Sequence, residues 1–236
     1  MTRLFVSEDL SSSTSFVPSS SDMHYLQSVL RMRPGERFVV VDSLGIENEC
    51  EFLADMAVSI VGRKPCSSEP PASVTLLQSV SKGERMDLTI QKSVELGVSR
   101  IVPVLSSRCI AKVSGDSKIS RWQKIALEAA RQSGRGIVPE VSAPVKFSAA
   151  VDMIPTFDLV LFPWEEAEGV TIRDVLRSGS FQNIGVFIGP EGGFSEDEER
   201  LAASRGARVV TLGKRILRTE TAGPAVLAMV LYETEL

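Results

Sequence analysis

The sequence predicts an α/β domain built on a parallel sheet and preceded by a small β-barrel. Three observations carry that prediction. After about residue 70, apolar runs of strand length alternate with runs of helical period, the signature of successive strand-helix units. Asp158-Leu-Val-Leu-Phe162 and Gly185-Val-Phe-Ile188 are apolar almost without a break, as strands covered on both faces are. Before residue 65 the runs are short and alternating, and turn residues such as Pro34-Gly35 and Ser43-Leu-Gly45 separate them.

In the first part, strands are expected at Leu4-Phe-Val6, Arg37-Phe-Val-Val-Val41, Glu49-Cys-Glu-Phe-Leu53 and Met56-Ala-Val-Ser-Ile-Val61. One helix fits between them, with Asp22 as its N-cap and Leu26, Val29 and Leu30 on its apolar face. Ser11 to Ser21 reads as a loop. Lys64-Pro-Cys-Ser-Ser-Glu-Pro-Pro71 has the composition of a linker, so the domains are expected to be 1–70 and 71–236. In the second, strands are expected at 74–80, 101–105, 157–162, 184–188 and 207–212. Helices are expected at 84–96, 119–133, 171–177, 196–204 and 222–233. Met86, Ile90 and Val94 mark one face of the first helix, which Gly97 stops. Trp122, Ile125, Ala126, Ala129 and Ala130 mark the second. Pro224 is expected near the first position of the last helix.

The chain has 236 residues, 43% of them hydrophobic, which is globular composition. No run approaches about 18 apolar residues and Met1-Thr-Arg-Leu-Phe lacks a secretory core, so a cytoplasmic location is expected. Cys50, Cys66 and Cys109 show no metal or disulfide spacing, and the single His24 makes a Ser-His-Asp triad a poor fit. The net charge is −4, yet residues 82 to 135 carry 11 Lys and Arg against 5 Asp and Glu. That +6 segment fits a phosphate-contacting face and, equally, a solvated helix face.

Two loops at expected strand ends carry the chemistry. Gly189-Pro-Glu-Gly-Gly-Phe-Ser195 leads into a helix that Ser195 and Glu198 can cap reciprocally. Its spacing matches no phosphate loop, and Glu191 would repel a phosphate. A neutral or cationic ligand suits it, with backbone approach at Gly192 and Gly193, as does a plain tight turn. The acids Glu196-Asp-Glu-Glu199 lack a histidine and read as first-turn residues favoured by the helix dipole, so no metal is expected. Leu212-Gly-Lys-Arg-Ile-Leu-Arg-Thr-Glu-Thr-Ala-Gly223 is basic and hydroxyl-bearing, suiting an anionic polymer or exposed surface.

These two loops together resemble the RsmE family of SPOUT methyltransferases. Lys82-Gly-Glu-Arg-Met, Gln91-Lys-Ser-Val-Glu-Leu-Gly97, Arg121-Trp-Gln-Lys-Ile-Ala and Glu128-Ala-Ala-Arg-Gln-Ser-Gly-Arg135 extend the likeness upstream. Arg3-Leu-Phe-Val6 and Tyr25-Leu-Gln-Ser-Val-Leu-Arg-Met-Arg-Pro-Gly35 carry it into the first domain. The chain departs from the usual pattern at Gly223-Pro224 and in the serine-rich stretch before His24. The resemblance implies a PUA-like barrel followed by a SPOUT-type, trefoil-knotted parallel-sheet methyltransferase domain, in a homodimer. It implies S-adenosyl-L-methionine-dependent methylation of N3 of one uridine in small-subunit (16S) ribosomal RNA, within free RNA or the assembled subunit. The rivals are a SPOUT enzyme for another RNA base and a non-catalytic ribosome-assembly factor that binds RNA.

A sulfonium without phosphates matches a loop with Glu191 and no lysine. The cofactor is therefore expected among three strand ends, 161–164, 189–193 and 212–221, with Leu161 and Phe162, Gly189, Pro190, Glu191, Gly192 and Gly193, and Leu212, Gly213, Ile216, Leu217, Thr219 and Thr221 as its named contacts. A bulky residue at Gly192 is expected to abolish its binding. Arg218 is the candidate for stabilising charge on the uracil ring and Glu220 a candidate base. RNA contacts are expected from Arg3, Arg31, Arg33, Lys82, Lys92, Arg108, Arg131 and Arg135.

Overall fold

A computed structural model describes residues 2–110 and 116–235. The chain divides into two compact units, Met1–Glu69 with Ala130–Val138, and Pro70–Ala129 with Pro139–Leu236.

The first unit contains strands β1 (Arg3–Phe5), β2 (Ser15–Phe16), β3 (Arg37–Val41), β4 (Ile46–Phe52) and β5 (Val58–Pro65), and helix α1 (Ser20–His24). The sheet order is β1-β3-β4-β5-β2, with β1 parallel to β3 and the other pairs antiparallel. Alternation selects the inner face: Phe38, Val40, Cys50, Phe52 and Val58 point into a core with Leu4, Leu10 and Leu26. Burial there pushes the Cys50 thiol up to about 12, so it packs as a small hydrophobe. The tight β3–β4 connection is built by Asp42, whose carboxylate accepts from the Leu44 and Ile46 amides at 3.0 Å, and by Gly45 at φ +73°.

Three expectations in this unit are corrected. Ser19, not Asp22, caps α1, its hydroxyl accepting from the Asp22 amide at 3.2 Å. The helix then widens into a π-helical turn, Tyr25–Val29. The wider turn rotates the register, so Leu26 is buried while Val29 is exposed. The serine-rich stretch also holds β2, a two-residue strand that pairs with β5.

One ion pair anchors the edge of this sheet. Arg3 Nη2 lies 2.8 Å from the buried Glu47, and Lys64 Nζ lies 3.2 Å from its other oxygen. Burial works to raise the Glu47 carboxyl, but its Arg3, Cys66 and Lys64 partners outweigh it and hold it below its usual 4.5. A depressed carboxylate stabilises the fold above its unfolded value and loses that contribution as pH falls through its folded value. Arg3→Ala is expected to cost about 3 kcal/mol at neutral pH. In thermal melts its deficit should shrink below about pH 4.5, and a deficit independent of pH would contradict the pairing.

The second unit contains β6 (Ser73–Ser79), α2 (Glu84–Glu95), β7 (Arg100–Leu105), α3 (Asp116–Ser133), β8 (Glu140–Val141), β9 (Val145–Lys146) and α4 (Phe147–Val151). It continues through β10 (Leu159–Pro163), α5 (Ile172–Leu176), β11 (Asn183–Ile188), α6 (Glu196–Ser204), β12 (Arg208–Val210) and α7 (Thr219–Glu235). Every strand pair is parallel and the order is β12-β10-β11-β6-β7-β8, with β9 also on β7. After β7 the chain returns past β6 to β10, fills the gap with β11, and places β12 outside β10. The loops after β10, β11 and β12 therefore leave adjacent carboxyl ends, where open α/β sheets bind ligands. Phe147, Phe162, Phe187 and Phe194 stack beneath them, the closest rings 4.5 Å apart.

Pro224 is the sixth residue of α7, not its first. Lacking an N–H, it leaves the Glu220 carbonyl without its helical partner, a loss tolerated so near the helix start. Residues 130–138, which the sequence places in the second domain, pack with the first unit. Arg135 explains this: it is buried and forks onto Glu69 at 2.8 and 2.6 Å, and Glu69 also accepts from the Gly136 amide. Among the described residues, no helix is long and apolar enough to cross a membrane.

Candidate functional site

The loop after β11 is a tight turn. The Gly193 amide donates to the Pro190 carbonyl at 2.9 Å, and Gly193 sits at φ +65°, a conformation that favours glycine. Ser195 ends it by capping α6 in a reciprocal box with Glu198. The acids of this first turn thus have helical roles, and Glu198 has a further one. It is buried, and its carboxylate accepts from the Ser107 amide at 2.6 Å and the Ser107 hydroxyl at 2.9 Å. That ties the loop following β7 to the first turn of α6.

Between the loops after β10, β11 and β12 lies a cavity of about 360 Å³, a size suited to a small cofactor. Gly189, Pro190, Glu191 and Gly193 line one side, and Leu212, Gly213, Ile216, Leu217 and Thr219 another. Arg218 and Glu220 also face it, at the start of α7. Trp164, at the end of the first expected strand-end segment, lines it as well, and so do Arg85 and Glu165, which lie outside the segments the sequence marks. Arg85 lies on the polar side of α2, where the apolar period carries no signal. Trp164 and Glu165 follow the end of β10.

Four expected cofactor residues lie elsewhere. Leu161 and Phe162 are fully buried, because β10 runs on to Pro163 and keeps both inside the sheet. Gly192 is exposed outside the cavity, and its carbonyl accepts from Arg108 Nη1 at 2.8 Å. Thr221 is exposed as the third residue of α7, away from the cavity lining.

The charge of Glu191, which the sequence offers to a sulfonium, is already met. Arg85 Nη1 lies 2.7 Å from its Oε1, and the Lys82 amide donates to the same oxygen at 3.0 Å. Partial burial works to raise this carboxyl, but the Lys82 amide and the Arg85 guanidinium hold it below the usual carboxylate value. Arg85 Nε also reaches Glu220 Oε1 at 3.7 Å, so one guanidinium bridges an acid from each loop.

Of the cations expected to meet RNA, Arg31, Arg33, Lys82, Lys92 and Arg108 are exposed, Lys92 pairing with Glu95. Arg3 and Arg135 are corrections: each is committed to a buried or half-buried carboxylate, Glu47 or Glu69, and neither presents a free cationic surface. Arg131 stacks on the Tyr25 ring at 3.9 Å within the first unit. The basic run 82–135 is thus divided between the two units at residue 130.

Residues 68–231 match the RNA methyltransferase domain family, and residues 19–55 the RNA methyltransferase PUA domain. Among curated relatives, ribosomal RNA small subunit methyltransferase E of Mesomycoplasma hyopneumoniae is 37% identical over 66% of this chain and 68% of its own. The protein of that name from Bacillus subtilis is 30% identical over 100% of this chain and 98% of its own. The crystal structure of the Neisseria gonorrhoeae enzyme of that name, bound to S-adenosyl methionine, is 36% identical. It superposes with a TM-score of 0.86 over 97% of this chain and 96% of that one. With two units of these folds and a full-length likeness at such identity, the chain belongs to the ribosomal RNA small subunit methyltransferase E family.

Proposed function

We propose that this protein uses S-adenosylmethionine to methylate N3 of a uridine in small-subunit ribosomal RNA. The observation that carries the reading is the cavity after β10, β11 and β12, in which glycine backbone, apolar walls and Arg218 with Glu220 converge. The residues present fit the cofactor. Gly189 lies so close to the Gly193 backbone that a side chain would close the turn, and Trp164, Ile188, Ile216 and Leu217 offer apolar wall to an adenine. Gly189, Pro190, Gly193, Leu212, Gly213, Leu217 and Thr219 would hold it. When bound it supplies an activated methyl group, so much of the chemistry is positioning.

The protein's own residues then manage charge. The uracil imide must lose its N3 proton, and negative charge spreads to O2 and O4. Arg218, reinforced by the positive end of α7, stands where it can stabilise that charge. Arg85 neutralises Glu191 and faces Glu220, which keeps two acids at the cavity from repelling the anionic substrate. Incubating small subunits with the protein and labelled cofactor, then mapping the modified base, tests reaction and target together. Label on another base, or none, would overturn the assignment.

The first unit is proposed to hold the RNA through Arg31 and Arg33 as phosphate contacts, and Lys82 and Arg108 of the second unit are proposed as further ones. Binding should weaken steeply with salt. Replacing Arg31 and Arg33 together should flatten the slope of log affinity against log salt by about 1.4, at roughly 0.7 per single-strand phosphate. An unchanged slope would remove both from the interface. A homodimer also belongs to this reading. Helix α7 is uncharged from Thr221 to Tyr232, and Ala228, Met229 and Tyr232 on it are exposed, as on a helix awaiting a second copy. The trefoil knot and the cytoplasmic site of action follow from the same reading.

A further inference from the structure

Gln78 lies near the carboxyl end of β6 and is wholly buried. Its Nε2 carries two protons and both are committed, one to the Ser79 carbonyl at 3.1 Å and one to Thr219 Oγ1 at 2.9 Å. Thr219 has a single hydroxyl proton and gives it to the Gly189 carbonyl at 2.6 Å. The hydroxyl therefore receives from Gln78 and donates to Gly189, and this order dictates which way round the amide lies. Three segments remote in sequence meet on one buried oxygen: the end of β6, the first residue of the loop after β11, and the first residue of α7.

The arrangement leaves a cost at the other end of the amide. Gln78 Oε1 is buried with no hydrogen-bond partner, an uncommon state for a buried acceptor. It faces Gly223, where an added Cβ would stand only 3.2 Å away. A glycine inside a helix is unfavourable by propensity, and here its missing side chain makes room for the amide. Gly189 and Thr219 line the cavity while Gln78 does not.

We propose that Gln78 is a positioning residue for the cofactor pocket: through the Thr219 hydroxyl it sets the Gly189 carbonyl, and with it the spacing of the two loops that flank the cavity. The proposal rests on the reading of this cavity as the S-adenosylmethionine site. Removing the amide leaves Thr219 free to turn and releases the Gly189 carbonyl, so the loops lose their mutual register while the sheet beneath them persists.

Calorimetric titration with S-adenosylmethionine tests this on wild type, Gln78→Leu, Thr219→Val, the double variant, and Leu76→Ala. Leu76 is a core residue of the same strand that also faces Gly223, so its truncation reports loss of packing alone. Gln78→Leu and Thr219→Val should each raise Kd about tenfold or more, the equivalent of one good hydrogen bond. The double variant should be little weaker than the weaker single one, because both break one relay. In turnover assays KM for the cofactor should rise while kcat at saturation stays within about threefold. Leu76→Ala should lower Tm and keep Kd within about twofold of wild type. If Gln78→Leu does not fold, Gln78→Met, which keeps the length of the side chain and lies outside the cavity, carries the same test. Variants binding as tightly as wild type, additive losses in the double variant, or an equal loss in Leu76→Ala would overturn the proposal alone. Failure of the wild-type protein to bind would overturn the cofactor assignment and this proposal with it.

Discussion

Gly189→Val is expected to weaken S-adenosylmethionine binding by about tenfold to a hundredfold, whereas Gly192→Ala, in the same loop, is expected to leave affinity within about twofold of wild type. The difference is one of surroundings. A Cβ at Gly189 would stand 3.2 Å from the Gly193 carbonyl carbon, the Gly193 Cα and the Phe194 nitrogen. All three are backbone, and none can swing aside as a side-chain tip would. Nor can the turn relax as a body, since Phe194 packs among Phe147, Phe162 and Phe187, and Ser195 is locked to Glu198. Overpacking there costs about 1–3 kcal/mol in strain and takes it from the wall of the cavity. At Gly192 a Cβ would meet only Arg108 Cβ and Cδ at 3.6 Å, an ordinary contact on the exposed side. Calorimetry on both variants, with circular dichroism to verify folding, decides the matter. Strong binding by Gly189→Val would remove this loop from the cofactor site.

That contrast also shows what a sequence can and cannot say about a site. The run 189–195 announces a ligand loop by composition, and Ser195 with Glu198 announces its helix. Which of three glycines is sterically required depends on the fold of the turn, and the sequence pointed to Gly192. Long elements with a clear period were legible: α2 buries Met86, Ile90 and Val94, and Gly97 ends it at φ +104°. Short ones were not, because β8 and β9 have two residues each and show no period. Leu161 and Phe162 were misplaced by two residues, since an apolar strand does not mark where its hydrogen bonding stops. Arg85 and Gln78 were invisible for another reason. Each matters through partners about 100 or more positions away, Glu191, Glu220 and Thr219. Residues 82–135 do carry an excess of positive charge, but Arg135 is paired with Glu69 inside the first unit, a contact between residues too far apart in sequence to be read from it.

Arg218→Ala should lower kcat by about 10²–10³ at saturating cofactor and RNA. Its backbone is held in place, the carbonyl accepting from the Thr221 and Ala222 amides at 2.8 Å each, so truncation should leave the start of α7 intact. Cofactor affinity is then expected to change little, because the cavity wall is mostly backbone and apolar side chain. The large loss comes from the reaction itself. An imide nitrogen attacks a methyl group only after shedding its proton, and the resulting charge on the ring oxygens has to be met inside the cavity. Arg85 is already engaged by Glu191 at 2.7 Å and faces Glu220 at 3.7 Å. Arg215 also lines the cavity, but Arg218 adjoins the start of α7 and is the guanidinium to which this work is assigned; Arg218→Lys should recover only part of it, since an ammonium lacks the planar fork that can span two oxygens. Raising pH supplies the ring anion without help from the protein, so the defect of Arg218→Ala should narrow between about pH 7 and 9. Glu220→Gln in the same series separates proton removal from charge stabilisation: a variant that keeps wild-type turnover across that range takes no proton from the ring. A defect in Arg218→Ala that stays constant with pH would mean the arginine holds RNA and leaves the charge on uracil to another group.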